Sequence, residues 1–289
     1  MVLSSASKQV IIGDDQPFCI IGERINPTGR KKFQEQLRAG DLSAVETDVH
    51  DQLAGGAMVL DVNMGVPLTD EAELLAKAVK LVQSLTDLPL CIDSSVVEAL
   101  EAGLGAYEGK ALVNSVTVED ERMEVILPLA KRHGAAIIAL PNDETEIPID
   151  PERRVELTKK FVDIATTKYQ IPIEDIVIDP LAMPIGADSL HADRTMDAIA
   201  MISEQIGVNM TLGASNVSFG MPDRHTLNAV FLPMAMRAGL TSAIMDARTA
   251  QVVTAVKGAD LMLGNDEWGA SWIQSHRAKQ AAEAAAAEF

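Results

Sequence analysis

The chain has 289 residues, 47% of them hydrophobic and only 3% aromatic, so a large core can form mainly from aliphatic side chains. Asp and Glu number 42 against 24 Lys and Arg, and the net charge of −18 would repel a phosphate backbone, which argues against nucleic-acid binding. No run approaches the roughly 20 apolar residues that span a bilayer, and the start of the chain lacks a signal-peptide pattern. We therefore expect a cytoplasmic protein without membrane association.

Short β-branched segments alternate with longer amphipathic segments along nearly the whole chain. In chain order, the predicted strands are 18–22, 58–62, 90–93, 111–115, 136–140, 176–179, 210–213 and 242–245. The predicted helices are 41–54, 70–85, 97–103, 119–133, 151–169, 192–206, 226–238 and 248–257. This alternation is typical of parallel βαβ units, and eight units fit a closed barrel better than an open sheet. We predict the α/β class: a single (β/α)8 TIM-type barrel with an extra C-terminal helix.

The domain organisation follows from the absence of any linker rich in Pro, Gly or Ser. Residues 1–289 are therefore expected to form a single barrel domain rather than two units. Residues 1–15 precede the first predicted strand, and we expect them to be a flexible N-terminal extension. Residues 268–289, which end in AKQAAEAAAAEF, are predicted to form a helical tail beyond the barrel.

Cys19 and Cys91 each lie in a short apolar run, FCII and LCID. Neither belongs to a CxxC pair or lies beside clustered histidines, as the cysteines of a zinc site or a redox motif would. We expect two buried, reduced thiols and no bound metal.

Polar side chains lie at or just after the end of nearly every predicted strand. They are Glu23 and Asn26, Asp61 and Asn63, Asp93, Asn114 and Ser115, Asn142, Asp179, Ser215 and Asn216, and Asp246. In a barrel the C-terminal ends of the strands meet at one face, the mouth, where the active sites of this fold lie. A single such residue would be explained by turn formation, but recurrence at eight strands favours a site.

The predicted mouth offers carboxylates and amides but few cations, which suits a neutral ligand rich in donors and acceptors. No GxxxxGK[ST] motif is present, and the glycine cluster at 103–109 precedes a predicted strand instead of following one, so it cannot cradle a phosphate at a helix start. A pterin fits better, because its pyrimidinone edge presents an N–H and an amino group that one carboxylate can accept in parallel.

Several segments resemble the pterin-binding methyltransferases that act on corrinoids. They are IGERINPTGRKKF (21–33), LDVNMG (60–65), IDSS (92–95), LVNSV (112–116), IDPLAMP (178–184) and GASNVSFGMPDR (213–224). The same group includes the folate module of cobalamin-dependent methionine synthase and the methyltransferases of anaerobic demethylation systems. The resemblance runs in order from about Ile20 to Leu263, and the pair GERIN with SNVSFGxPxR is specific.

Carried over by motif, the resemblance implies a pterin site with Asn216 as its catalytic residue, at the position of an amide that contacts N5. The residues implied to bind the pterin are Asp61, Asn63, Asp93, Asn114, Asp179, Ser215 and Arg224. Two positions depart from the pattern. Val96 stands where many relatives have Asn, and Phe219 stands where some have Gln, so these two positions offer no polar contact.

The bond that such an enzyme breaks explains the need for an amide. The N5 atom of methyltetrahydrofolate would be a very poor leaving group as an anion, so it has to gain a proton. An Asn side chain can accept from protonated N5 and can donate to the bare nitrogen. The resemblance implies that the nucleophile is the cobalt(I) of a separate corrinoid protein, and the chain shows no Ser–His–Asp or Cys–His pattern.

The resemblance further implies tetrahydrofolate or methyltetrahydrofolate as substrate, a role in one-carbon metabolism, and a homodimer. His50 lies in a segment like the cobalt-ligating DxHxxG motif, but Leu53 holds the glycine position, so we expect no permanently bound cobalamin. Two alternatives stay open: a dihydropteroate synthase-like pterin transferase and a non-catalytic folate-binding barrel. The direction of methyl transfer and the upstream methyl donor are also open.

Overall fold

The structure, a computed structural model, describes residues 1–287 and confirms the predicted fold class. Its strands are β1 (Val2–Ser4), β2 (Gln9–Ile11), β3 (Cys19–Ile25), β4 (Val59–Asn63), β5 (Leu90–Asp93), β6 (Leu112–Thr117), β7 (Ala136–Leu140), β8 (Ile176–Ile178), β9 (Asn209–Met210) and β10 (Ser242–Met245). Its α-helices are α1 (Lys31–Arg38), α2 (Ser43–Gly55), α3 (Glu71–Leu85), α4 (Val97–Ala106), α5 (Asp120–His133), α6 (Pro151–Thr167), α7 (His191–Gln205), α8 (Arg224–Ala238), α9 (Ala250–Leu263) and α10 (Ala270–Ala287).

The eight strands β3 to β10 are parallel and follow one another around a barrel, with β10 paired to β3. The barrel closes just beyond β9, where the Ile244 amide donates to the Leu212 carbonyl at 2.9 Å and the Ala214 amide donates to the Ile244 carbonyl at 3.0 Å. Helices alternate with these strands, and α10 adds the extra C-terminal helix that the sequence predicts. The last two residues of the predicted tail, 288 and 289, lie outside the described residues.

Side chains alternate between the barrel interior and the surrounding helices, because successive strand residues point to opposite faces. One buried cluster fills the lower interior of the barrel and contains Leu3, Val10, Ile12, Cys19, Ile21, Val59, Cys91, Leu112, Ala136, Ile138 and Val177. Two residues further along, the same alternation points Glu23, Asp61, Asp93, Asn114 and Asp179 inward at the mouth. Cys19 and Cys91 are free and buried, as predicted.

The prediction that residues 1–15 form a flexible extension is wrong. Strands β1 and β2 form an antiparallel hairpin, and Leu3 and Ile12 within this segment are fully buried. Their side chains pack with Cys19 and Val59 from the N-terminal ends of the barrel strands. The hairpin therefore covers the end of the barrel opposite the mouth, where interior apolar side chains would otherwise meet water.

Truncating the hairpin's buried side chain should destabilise the whole barrel. We expect Leu3→Ala to lower the free energy of unfolding by about 2–5 kcal/mol, because it leaves a cavity in the interior cluster. Val2→Ala, at a side chain that is 39% exposed, is the matched control and should change it by less than about 1 kcal/mol. Urea unfolding measures both values, and equal midpoints for the two variants would contradict the covering role.

Helix α1 is absent from the predicted elements because it is short and mostly polar. Its sequence, KKFQEQLR, buries only Phe33 and Leu37, which is too few apolar positions to establish a period.

Among residues 1–287, no helix combines the length and the apolar character that crossing a membrane requires.

Candidate active site at the mouth of the barrel

Four of the predicted site residues lie together, in the last residues of β4 and β5 and at the neighbouring position of β6. The Asn63 Nδ2 donates to Asp93 Oδ2 at 3.0 Å, and the Asn114 Nδ2 donates to Asp61 Oδ1 at 3.2 Å. The register explains both contacts, since Asn63 pairs with Asp93 and Asp93 pairs with Asn114 in the parallel sheet. These four residues form what we call the polar floor of the mouth.

The two carboxyls of the polar floor are coupled. Burial raises the pKa of Asp61 well above its ordinary value, and the neighbouring charge of Asp93 raises it further. Burial also raises the pKa of Asp93, to about 6, although hydrogen bonds from Asn63 and Asp61 lower it. Because two adjacent buried carboxyls resist double ionisation, Asp61 keeps its proton to a higher pH than Asp93 does. The floor can therefore both donate and accept hydrogen bonds.

Asp179 follows β8 at a separate place on the mouth. Its Oδ1 accepts the backbone N–H of Leu181 at 2.8 Å, which closes a tight turn in which Leu181 has a φ of 64°. Burial raises the pKa of Asp179 to about 6, against the lowering effects of the Leu181 hydrogen bond and of the Arg154 charge. Above that pH the carboxyl is an ionised acceptor.

Arg154 in α6 supports this turn, although its role is not among those predicted from the sequence. The side chain is fully buried, and its Nη1 donates to the carbonyls of Pro180 at 2.8 Å and Leu181 at 3.0 Å. Its Nε donates to the Pro148 carbonyl at 2.9 Å, which links the preceding loop. A signal was available, because Arg154 lies on the buried face of α6 with Leu157 and Thr158.

Removing Arg154 should destabilise the protein strongly. We expect Arg154→Met to lower the free energy of unfolding by about 3–5 kcal/mol, because it leaves buried carbonyls unpaired and takes the buried countercharge from Asp179. Arg132→Met, which breaks an exposed ion pair with Glu101, is the control and should cost no more than about 1 kcal/mol. Chemical denaturation measures both, and similar small losses for the two variants would mean that Arg154 does not support the turn.

Ser215 and Asn216 lie on the loop between β9 and α8, and Arg224 is the first residue of α8. Arg224 donates through Nη2 to the Ser215 carbonyl at 2.6 Å and through Nε to the Ser218 hydroxyl at 3.2 Å. Its guanidinium also lies 5.8 Å from the centre of the exposed Phe219 ring. In this structure Arg224 therefore holds the loop together.

Asn216 is exposed at the start of this loop, and its side-chain amide forms no hydrogen bond to residues 1–287. The amide folds back over Gly213, where a methyl group on the glycine would approach the Asn216 Nδ2 to 2.9 Å. A side chain at 213 would thus displace the amide. Asn216 does not contact the polar floor.

Glu23 is a further inward-facing group, to which the sequence analysis assigned no role. Burial raises its pKa to about 7, the charge of Asp246 adds to this, and Arg24 opposes it. Glu23 and Ser215 both line a small cavity of about 50 Å³, together with His225, Asn228 and Asp246. A cavity of this size can hold a water molecule among polar groups. The alternation of side chains along β3 places Glu23 on the inward face, and this was the sequence signal for it.

Residues 22–246 match the model of the family described as pterin binding enzyme. The chain belongs to the pterin-binding enzyme family. Over 255 residues it is 33% identical to the methylcorrinoid:tetrahydrofolate methyltransferase of Eubacterium limosum, covering 86% of this chain and 92% of that protein. It is 35% identical over 241 residues to the methionine synthase of Mycobacterium leprae, covering 79% of this chain but 20% of that protein.

Solved structures of dihydropteroate synthases share the fold. The dihydropteroate synthase of Xanthomonas albilineans in complex with 7,8-dihydropteroate has a TM-score of 0.70 at 18% identity, covering 91% of this chain and 98% of that one. The Yersinia pestis enzyme with a pterin–sulfa conjugate has a TM-score of 0.67 at 15% identity, with the same coverages. At these identities the likeness extends to the barrel alone.

Proposed function

We propose that this protein exchanges a methyl group between the N5 of methyltetrahydrofolate and the cobalt of a separate corrinoid protein. The observation that carries the proposal is the combination of an acceptor-rich polar floor with the exposed amide of Asn216 at the same mouth. The carboxylates of the polar floor and of Asp179 can accept hydrogen bonds from the donor edge of a pterin. The amide of Asn216 can accept from a protonated nitrogen and donate to the same nitrogen without its proton. The printed name of the Eubacterium limosum relative supports the same reaction.

The pterin is bound by Asp93, Asn114 and Asp179, with Asp61 and Asn63 beneath it. Ser215 and Arg224 fix the loop that presents Asn216, so in this proposal they shape the site. Asp179, ionised above about pH 6, accepts the N–H and amino groups of the pyrimidinone edge.

The transfer balances without a nucleophilic side chain. With methyltetrahydrofolate as donor, the electron pair of cobalt(I) forms the new bond to the methyl carbon. The C–N5 bond breaks, and its electron pair remains on N5, which carries the proton gained before the bond breaks. The carbonyl of Asn216 accepts a hydrogen bond from that N–H, and this contact strengthens as positive charge develops on N5. In the reverse direction N5 loses the proton after receiving the methyl group.

A dihydropteroate synthase-like reaction is the second enzymatic alternative, and it needs free cations for a pyrophosphate leaving group. The arginines of the last two mouth loops are engaged within the protein. Arg224 binds the Ser215 carbonyl, and Arg248 pairs with Asp246 at 2.7 Å and lies 3.8 Å from Asp51. This arrangement favours methyl transfer over the pyrophosphate chemistry.

The test is methyl transfer between methyltetrahydrofolate and free cob(I)alamin, followed by the cobalt absorption spectrum. We expect conversion of cob(I)alamin to methylcobalamin, and the reverse reaction with tetrahydrofolate and methylcobalamin. Formation of dihydropteroate from its pyrophosphate precursor and 4-aminobenzoate, without methyl transfer, would favour the synthase. Tight folate binding with neither reaction would favour the non-catalytic barrel.

The homodimer and the cytoplasmic location stay predictions. Val230 and Met234 are exposed on one side of α8, at 58% and 54%, and would be covered by a second copy that packs there. Light scattering of the purified protein measures its mass directly.

A further inference from the structure

The charge of the chain reverses sign beside the first barrel strand. Residues 24–38 contain five basic side chains, at 24, 30, 31, 32 and 38, and one acidic side chain at 35, which gives a local charge of +4. The whole chain carries −18. A cationic segment inside so acidic a protein creates a local attraction for anions.

The fold places this segment at the rim of the mouth. The loop that follows β3 leads directly into α1, and Arg30 anchors the loop by donating to the Arg24 carbonyl at 2.8 Å. Arg30 also forms a two-point ion pair with the buried carboxylate of Asp48 and stacks over Phe33, 4.6 Å from the ring centre. The base of the segment is therefore fixed by buried contacts.

An open groove of about 460 Å³ lies between α1 and α2 at this position. We call it the α1–α2 groove, and its charged and hydroxyl lining consists of Arg30, Lys31, Lys32, Ser43, Thr47 and Asp48. Its volume falls within the range of small-molecule sites. Two cations and two hydroxyls on facing helices can bind carboxylates by charge and by hydrogen bonds.

The lysines of the groove are not neutralised by the protein. Lys31 and Lys32 are exposed, and neither forms an ion pair with the described residues, including Glu35 one turn away. Two of the acidic groups nearby are already engaged, because Asp48 binds Arg30 and the Asp41 carboxylate accepts from the Ser43 amide and from Gln36. Both lysines remain available to an incoming anion.

We propose that the α1–α2 groove binds the carboxylates of a γ-linked oligoglutamate tail on the folate substrate. The proposal rests on the proposed function, since the tail belongs to a ligand whose pterin lies in the mouth. Such a tail is a flexible chain of carboxylates leaving the mouth, and the groove is a recess of small-molecule size at its rim. The competing anion is an acidic protein surface. Such a surface would need a broad contact area, and these few residues offer too small an area for it.

The experiment compares the affinities of monoglutamyl and triglutamyl methyltetrahydrofolate by calorimetry. The matched variants are the double substitution Lys31→Ala/Lys32→Ala and the charge control Lys77→Ala/Lys80→Ala on the exposed side of α3. In the wild type and the control we expect the triglutamate to bind about three- to tenfold more tightly. In the groove variant the ratio should fall to about one, and 1 M salt should lower the ratio of the wild type and of the control towards one because exposed charges are screened.

Each other outcome has a distinct meaning. A wild-type ratio near one, or an unchanged ratio in the groove variant, overturns the tail site while leaving the proposed function intact. A groove variant that keeps its ratio but loses methyl transfer with an acidic corrinoid protein assigns the lysines to that partner and also overturns it. If neither form of methyltetrahydrofolate binds the wild type, the proposed function itself fails.

Discussion

Asn216→Ala should lower the single-turnover rate of methyl transfer by about 10²–10³-fold while changing the affinity for methyltetrahydrofolate much less. The reason is that the amide contacts a nitrogen whose positive charge is larger in the transition state than in the bound substrate. The structure makes this variant easy to interpret. The Asn216 side chain is exposed and forms no hydrogen bond to residues 1–287, so its loss should leave the fold intact.

The rate is followed through the cobalt spectrum after rapid mixing with cob(I)alamin, and the affinity by equilibrium titration of each variant. Phe219→Ala removes a 66% exposed side chain from the same loop and controls for general loop disturbance. We expect the control to transfer methyl within a few-fold of the wild-type rate. Equal losses of rate and affinity in Asn216→Ala would make Asn216 a binding residue only. Another group would then have to stabilise the protonated N5, such as a water held by Asp61 or Asn63.

Asp179→Asn should show the opposite balance, with methyltetrahydrofolate bound about 5- to 150-fold more weakly, which corresponds to about 1–3 kcal/mol for one mismatched buried group. The asparagine keeps an Oδ1 that can accept the Leu181 amide, so the turn after β8 is preserved. It presents an NH₂ group where the carboxylate had a second acceptor, and this donor faces the donors of the pterin edge.

Calorimetry measures this loss, and Asp188→Asn is the control, because it alters a more exposed carboxylate on the same β8–α7 loop. The wild-type affinity should also fall as the pH falls through about 6. Both Asp179 and Asp93 have pKa values raised to about 6 by burial, and pterin binding uses their ionised forms. An unchanged affinity in Asp179→Asn would mean that the pterin does not lie against this residue.

Within the mouth, the sequence identified the residues but not their burial or their pKa values. Asp61 and Asp93 are visible as polar strand ends, because a strand pattern and its stop are local features of the chain. That the two carboxyls share one buried floor depends on the register of β4 against β5, which involves segments 30 residues apart. Their raised pKa values follow from that burial and could not be read from either segment alone.

The other features that the sequence did not predict also depend on contacts between segments distant in the chain. The alternation of apolar strands and amphipathic helices determined the barrel by itself, since each unit carries its own period and its partners are its neighbours in the chain. Leu3 and Ile12 looked like part of a loose extension, because only the closed barrel creates the apolar end that they cover. Arg154 and the α1–α2 groove likewise depend on long-range contacts. The sequence determined which residues reach the mouth, and the tertiary structure decided which are buried, paired or left free, because burial and charge pairing depend on neighbours distant in the chain.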